Sequence, residues 1–156
     1  MIDELYSTRI LKLAANLPHS GRLAAPEGTG ERVARLCGSK AIVDVTLNES
    51  GRVETFAQDV KACALGQAAA GVLGETVIGA SLDEIVVARE AMSAMLKVGG
   101  DGPTGRFEGL RALKQVADYP ARHASTMVAI EATVEAMRQA LARKSPDTRT
   151  SLAGAA

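Results

Sequence analysis

The chain has 156 residues, about the length of one domain and long enough to bury a sizeable core without a covalent or metal staple. Apolar residues make up 47 % with no Trp, two Phe and two Tyr, so the core must be aliphatic. Eighteen bases balance eighteen acids, which argues against a protein that works by holding nucleic acid or anionic lipid, since both need surplus Lys and Arg.

Residues 5–13 carry Leu5, Ile10, Leu11 and Leu13 and predict a short helix that ends before Pro18. Residues 18–30 turn to Pro, Gly, Ser, Ala and Thr and predict a surface loop. Residues 40–47 alternate Val43, Val45 and Leu47 with Asp44 and Thr46, the pattern of a half-buried strand. A turn over 48–51, closing on Gly51, leads to a second alternating run over 52–59, so the pair predicts an antiparallel hairpin. A third strand is expected over 60–63.

After Cys63 the texture changes. Residues 64–77 are rich in Ala and Gly and predict a tightly packed helix. Ser81 with Glu84 three residues on is a capping box that launches another helix, with Leu82, Ile85, Val86, Met92, Met95 and Leu96 near one face. The glycine-rich stretch 98–105 follows a helix and lacks the spacing of a phosphate cradle, so it predicts a connector. Phe107, Leu110, Leu113 and Val116 predict a short helix stopped near Pro120. Met127, Ile130, Val134, Met137 and Leu141 then recur at steps of three and four, a narrow apolar stripe over a long final helix. The stretch 145–156 has no stripe and predicts a flexible tail, so a single domain over 1–144 is expected. Helix, antiparallel strands, then a run of helices is an α+β order: a small sheet of about three strands covered on one face by helices.

No apolar run approaches the ~20 residues of a membrane span, and the opening MIDELYSTRI has acids where a secretory leader needs bases. A cytoplasmic protein is expected, with neither nucleic acid nor membrane as partner. Its two cysteines, Cys37 and Cys63, are then free thiols. Each is either a small buried hydrophobe or a reactive group, and both fall at ends of predicted elements. A thiol at a helix N-terminus is stabilised as thiolate by the free N–H groups there, and Lys61 beside Cys63 acts the same way. Thiolates are the form that binds soft metals and sulfur.

Several stretches, in order, resemble the iron–sulfur cluster assembly scaffolds of the NifU/IscU type, most closely the SufU-like branch. They are Leu5-Tyr6-Ser7 with Ile10-Leu11, then Pro18, Gly21 and Leu23, and the Leu36-Cys37-Gly38 motif. Cys63-Ala64 with Gln67-Ala68-Ala69-Ala70 follows, then Gly79, Ser81-Leu82 and Glu84, and finally Tyr119-Pro120-Ala121-Arg122. The resemblance implies cluster or iron binding by cysteines, with Cys37 and Cys63 as ligands, a cysteine desulfurase as sulfur donor and apo-proteins as recipients. Arg122 falls at a position that the resemblance places near the cluster; otherwise it is an exposed arginine at a helix start.

The departures bear on the ligand set. Ser125 stands in the slot of the family's third cysteine, Ser39 in the slot of its aspartate, and Ala124 where one branch has a histidine. Two thiolates do not close a tetrahedral site. His123, two residues before that slot, is a candidate metal ligand, and His19 a more distant one; for both the plainer reading is solvated surface. Asp44 and Asp59 flank the cysteines in sequence and are minor candidates. Alternatively two chains pool four cysteines in a homodimer around one [2Fe–2S] cluster. The expected function is a non-enzymatic scaffold or carrier that holds a cluster, iron or sulfur on Cys37 and Cys63 with Ser125 beside them. The alternative is a degenerate homologue that binds zinc or no metal and acts by docking or as a sulfurtransfer partner.

Overall fold

The computed structural model describes residues 8–144. In chain order the elements are α1 (Thr8–Ala15), β1 (Gly28–Ala34), β2 (Ser39–Leu47), β3 (Val53–Lys61), α2 (Ala64–Thr76) and α3 (Leu82–Val98). Two 3₁₀ segments (Gly105–Asp118 and Pro120–Arg122) then lead into α4 (His123–Lys144). The strands form one antiparallel sheet in the order β1-β2-β3. This is the expected α+β architecture with its long C-terminal helix.

The hairpin β2–β3 follows from the alternation in its sequence. Ala41, Val43, Val45 and Leu47 on β2 are buried. In the turn, the Asn48 side-chain oxygen accepts from the N–H groups of Ser50 and Arg52, both at 3.0 Å, an Asx turn that fixes the reversal. No separate strand exists at 60–63. Val60 and Lys61 complete β3, and Cys63 is already the N-cap of α2.

The third strand of the sheet is β1, which begins inside the loop expected over 18–30 and runs on to Ala34. β1 is silent to a hydrophobic pattern because its inward positions are Gly28 and Gly30. A Cβ on Gly28 would sit 2.0 Å from the Ala136 carbonyl oxygen, and one on Gly30 2.0 Å from that of Ala132. The backbone of α4 rests directly on the strand, which only glycine permits. That close approach also explains why α4 is buried far beyond its narrow stripe. Val128, Ala129, Ala132, Thr133 and Ala136 are inaccessible along with Met127, Ile130, Val134 and Met137.

The capping box at α3 forms as expected, Ser81 Oγ accepting from Glu84 N–H and the Glu84 carboxylate from Ser81 N–H, both at 3.2 Å. The stretch expected as a short helix after Gly105 is a 3₁₀ coil that buries Phe107, Leu110, Leu113 and Val116. All three steps between these four residues are of three, which matches a three-residue turn better than a 3.6-residue one. The part of the first helix expected over residues 5–7, and the stretch 145–156, lie outside the described residues. Among the described residues no helix is long and apolar enough to cross a membrane.

The glycine contact gives a direct test. Gly30→Ala forces apart α4 and β1 and should cost about 3 kcal/mol, the upper end for overpacked interiors, read as a lower urea midpoint at unchanged m-value.

Candidate functional site

Cys37 sits in the turn between β1 and β2, held there by the bond from Gly38 N–H to the Ala34 carbonyl (2.8 Å), and its thiol is exposed. Cys63 is the N-cap residue of α2 and is half-buried. The two thiols are brought to one open cleft of about 460 Å³, lined by Cys37, Gly38, Ser39, Lys61, Ala62, Cys63 and Arg122.

Beneath the cleft runs a chain of hydrogen bonds. Cys37 Sγ lies 3.1 Å from Ser39 Oγ, Ser39 Oγ lies 2.9 Å from Ser125 Oγ, and Ser125 Oγ lies 3.2 Å from Cys63 Sγ. Ser39 is 2 % exposed and Ser125 not at all. Their places follow from periodicity: Ser39 is in phase with inward-facing Ala41, Val43 and Val45, and Ser125 lies on the face of α4 that carries Val128, Ala129 and Ala132. α2 can lie this close because its third residue, Gly66, is glycine. A Cβ on Gly66 would be 2.8 Å from the Ser125 carbonyl and 3.0 Å from its hydroxyl.

Both thiols ionise below their ordinary range. For Cys37 the main cause is the Ser39 hydroxyl, followed by the Ser39 N–H; Ser125 and the positive Arg122 add to it. For Cys63 burial pushes the other way. It is outweighed by the Ser125 hydroxyl, the Gly66 and Leu65 N–H groups at the start of α2, and the Arg122 guanidinium. Cys63 makes no formal capping bond to α2, so these amides act on the anion through their aim and the helix dipole.

The other candidates are elsewhere. The His123 ring does not reach the cleft. Its Nε2 is held by the carbonyls of Val116 (3.0 Å) and Ala117 (3.2 Å), and the ring lines a separate hollow with Lys97, Met127 and Glu131. His19 stands edge-on to Phe56, ring centroids 6.1 Å apart, and Asp59 on β3 is registered opposite Ile42 on β2. Asp44 is fully buried and has a structural job. It accepts from Arg22 Nε (2.6 Å) and Nη2 (3.2 Å), Leu23 N–H (3.0 Å) and Thr29 Oγ1 (2.6 Å), so it ties the 18–27 loop to the sheet. Among the described residues no three His, Cys, Asp or Glu side chains gather as a metal-ligating group. The donor set that one chain offers is two sulfurs, with two hydroxyls below them.

What sequence reasoning missed is the Ser39–Ser125 bond. Each serine is legible alone, but their meeting depends on the seating of α4 against β1 and β2.

The model of the NifU-like N terminal domain matches residues 5–126. Among solved structures, the N-terminal part of a nitrogen-fixing NifU-like protein from Brucella abortus is 44 % identical, with a TM-score of 0.86 over 90 % of this chain and 96 % of that one. A candidate iron–sulfur cluster assembly scaffold for the SUF system from Fervidobacterium islandicum AW-1 is 17 % identical, with a TM-score of 0.78 over 86 % of this chain and 98 % of that one, a likeness of fold alone. No curated protein matches the chain.

Two measurements test this geometry. Ser125→Ala removes a donor shared by the chain of hydrogen bonds, worth about 1 kcal/mol. It should leave Cys63 with about fivefold less thiolate at a given neutral pH, read by its alkylation rate. The Asp44 carboxyl is pushed up by burial, but Arg22, Thr29 and the Leu23 N–H together hold it below its ordinary value. A depressed carboxyl stabilises the fold above its unfolded pKa of ~3.9, and that contribution is lost as pH falls further. Asp44→Asn should therefore be about 2 kcal/mol less stable at pH 7 and show a flatter stability profile below about pH 4.

Proposed function

Because the chain belongs to the NifU-like N-terminal domain family, we propose that it is a scaffold or carrier in iron–sulfur cluster assembly, not an enzyme. The observation that carries this is the meeting of Cys37 and Cys63 in one open cleft, both thiols biased toward the anion that soft metals and sulfur require. Iron, a nascent cluster or sulfur is the cargo. Arg122 and Lys61 at the cleft supply positive charge to offset the negative charge of a thiolate-bound load.

The chain's own donors set a limit. Four-coordinate iron or zinc takes four protein ligands, or three and an open position, and one chain brings two sulfurs to the cleft. Ser125 does not replace a third thiolate: it is sealed below the cleft, its hydroxyl engaged with Ser39 and Cys63. His123 is turned to backbone carbonyls. The remaining ligands of a [2Fe–2S] cargo then come from outside the chain, as from a second copy in a homodimer. Leu36, beside Cys37, is 82 % exposed and Val33 is 53 % exposed, apolar contacts suited to protein partners in the cytoplasm: a cysteine desulfurase that gives sulfur and apo-proteins that take the cluster.

The shortage of ligands also favours a second reading, a degenerate homologue that binds zinc or no metal and acts by docking or as a sulfurtransfer partner.

Anaerobic reconstitution with iron and sulfide separates the two. The scaffold reading expects a visible charge-transfer band that both Cys37→Ser and Cys63→Ser abolish. No band and no metal by elemental counting favours the degenerate homologue. Stoichiometric metal unaffected by either substitution would defeat both.

A further inference from the structure

The cleft has a sign. Its lining includes the side chains of Lys61 and Arg122 and no carboxylate. Among the described residues the ion pairs engage Arg22, Arg32, Lys40, Arg52, Arg89 and Arg106, and neither cation of the cleft is among them. Asp59 shares the adjoining hollow with Lys61 and with Lys40, which pairs with Glu31, so one carboxylate stands against the two cations of the cleft. In a chain of zero net charge, this is a local excess of positive charge placed against an exposed sulfur.

The two sulfurs differ in access. Each is bonded to a different serine below the cleft, but the Cys37 thiol is exposed while Cys63 is half-buried. Cys37 is therefore the thiol that a disulfide from solution meets first.

We propose that Cys37 is an S-thiolation site selective for small anionic disulfides, those whose halves carry carboxylates, with Arg122 and Lys61 as the carboxylate subsite. The Cys37 thiolate attacks one sulfur of the reagent. The Cys37–S–S–R bond forms, the reagent's own S–S bond breaks, and the electron pair leaves with the second half as a thiolate that takes a proton from water. Cys37 is oxidised and the departing half is reduced, so no other oxidant is needed. The reaction consumes the negative charge of Cys37, which leaves the two cations to the carboxylates of the bound half. That half covers the cleft and blocks both thiols until a thiol reductant removes it. The inference needs no iron and stands apart from the cargo reading: failure of either leaves the other intact.

The test uses the full-length, metal-free chain with glutathione disulfide (anionic), hydroxyethyl disulfide (neutral) and cystamine (cationic). Each rate is divided by that reagent's rate with a simple model thiol, and products are assigned by intact mass and peptide mapping. Glutathione disulfide should exceed the neutral reagent about tenfold and cystamine by more, with one adduct per chain, on Cys37. The preference should shrink toward unity in the Arg122→Gln/Lys61→Gln double variant, and in the wild type at about 0.5 M salt. Equal normalised rates for the three reagents, an adduct on Cys63 first, or an internal Cys37–Cys63 disulfide as the product would each overturn it.

Discussion

The arrangement depends on a single buried hydroxyl at the start of a helix. Ser125 Oγ bonds Ser39 at the start of β2 and Cys63 at the N-cap of α2, so three elements distant in sequence are fixed around one oxygen. An unpaired hydroxyl sealed from water costs roughly 1–3 kcal/mol. The packing that buries Ser125 therefore makes these partners obligatory. The sulfur positions are a consequence of a satisfied core, and the cleft above them is where that core ends.

Seating Ser125 so deeply requires backbones to touch. Gly28 and Gly30 admit α4 onto β1, and Gly66 admits α2 onto the Ser125 turn. These glycines stand at the two contacts that a side chain would hold open. Farther from the site, Arg106 donates to the carbonyls of Thr76 and Ile78 at the end of α2 and to Glu84, which also receives Arg52. That surface network anchors the far end of α2, so the N-cap at Cys63 is set by contacts at both ends of the helix.

Much of this was legible in the residues. Alternation over Val43, Val45 and Leu47, the Ser81/Glu84 box and the Met127-to-Leu141 spacing each translate local chemistry directly into an element. β1 was not legible, because a strand whose inward positions are glycines carries no hydrophobic signal; its pattern makes sense only with α4 in place. The 3₁₀ stretch kept its core residues but not its helix type, since a three-residue step is compatible with either coil until the chain is packed. At the site, Cys37, Cys63 and Arg122 were readable from motif order. His123 was misleading for the opposite reason: nearness in sequence to Ser125 does not set direction, and two steps along a helix turn a side chain by about 200°. That rotation takes His123 to the carbonyls of Val116 and Ala117 while Ser125 faces inward.

Two buried serines below two cysteines also change what the pair can do. Each sulfur has a hydroxyl partner on its core side, so the side that faces the cleft is left to a ligand. With two protons to give, the hydroxyls serve one thiolate at a time while the Ser39–Ser125 bond is kept, and they do so without competing for a soft metal, for which oxygen is the poorer ligand. The serine pair thus acts as a donor, and this role follows from its burial rather than from any reactivity of its own.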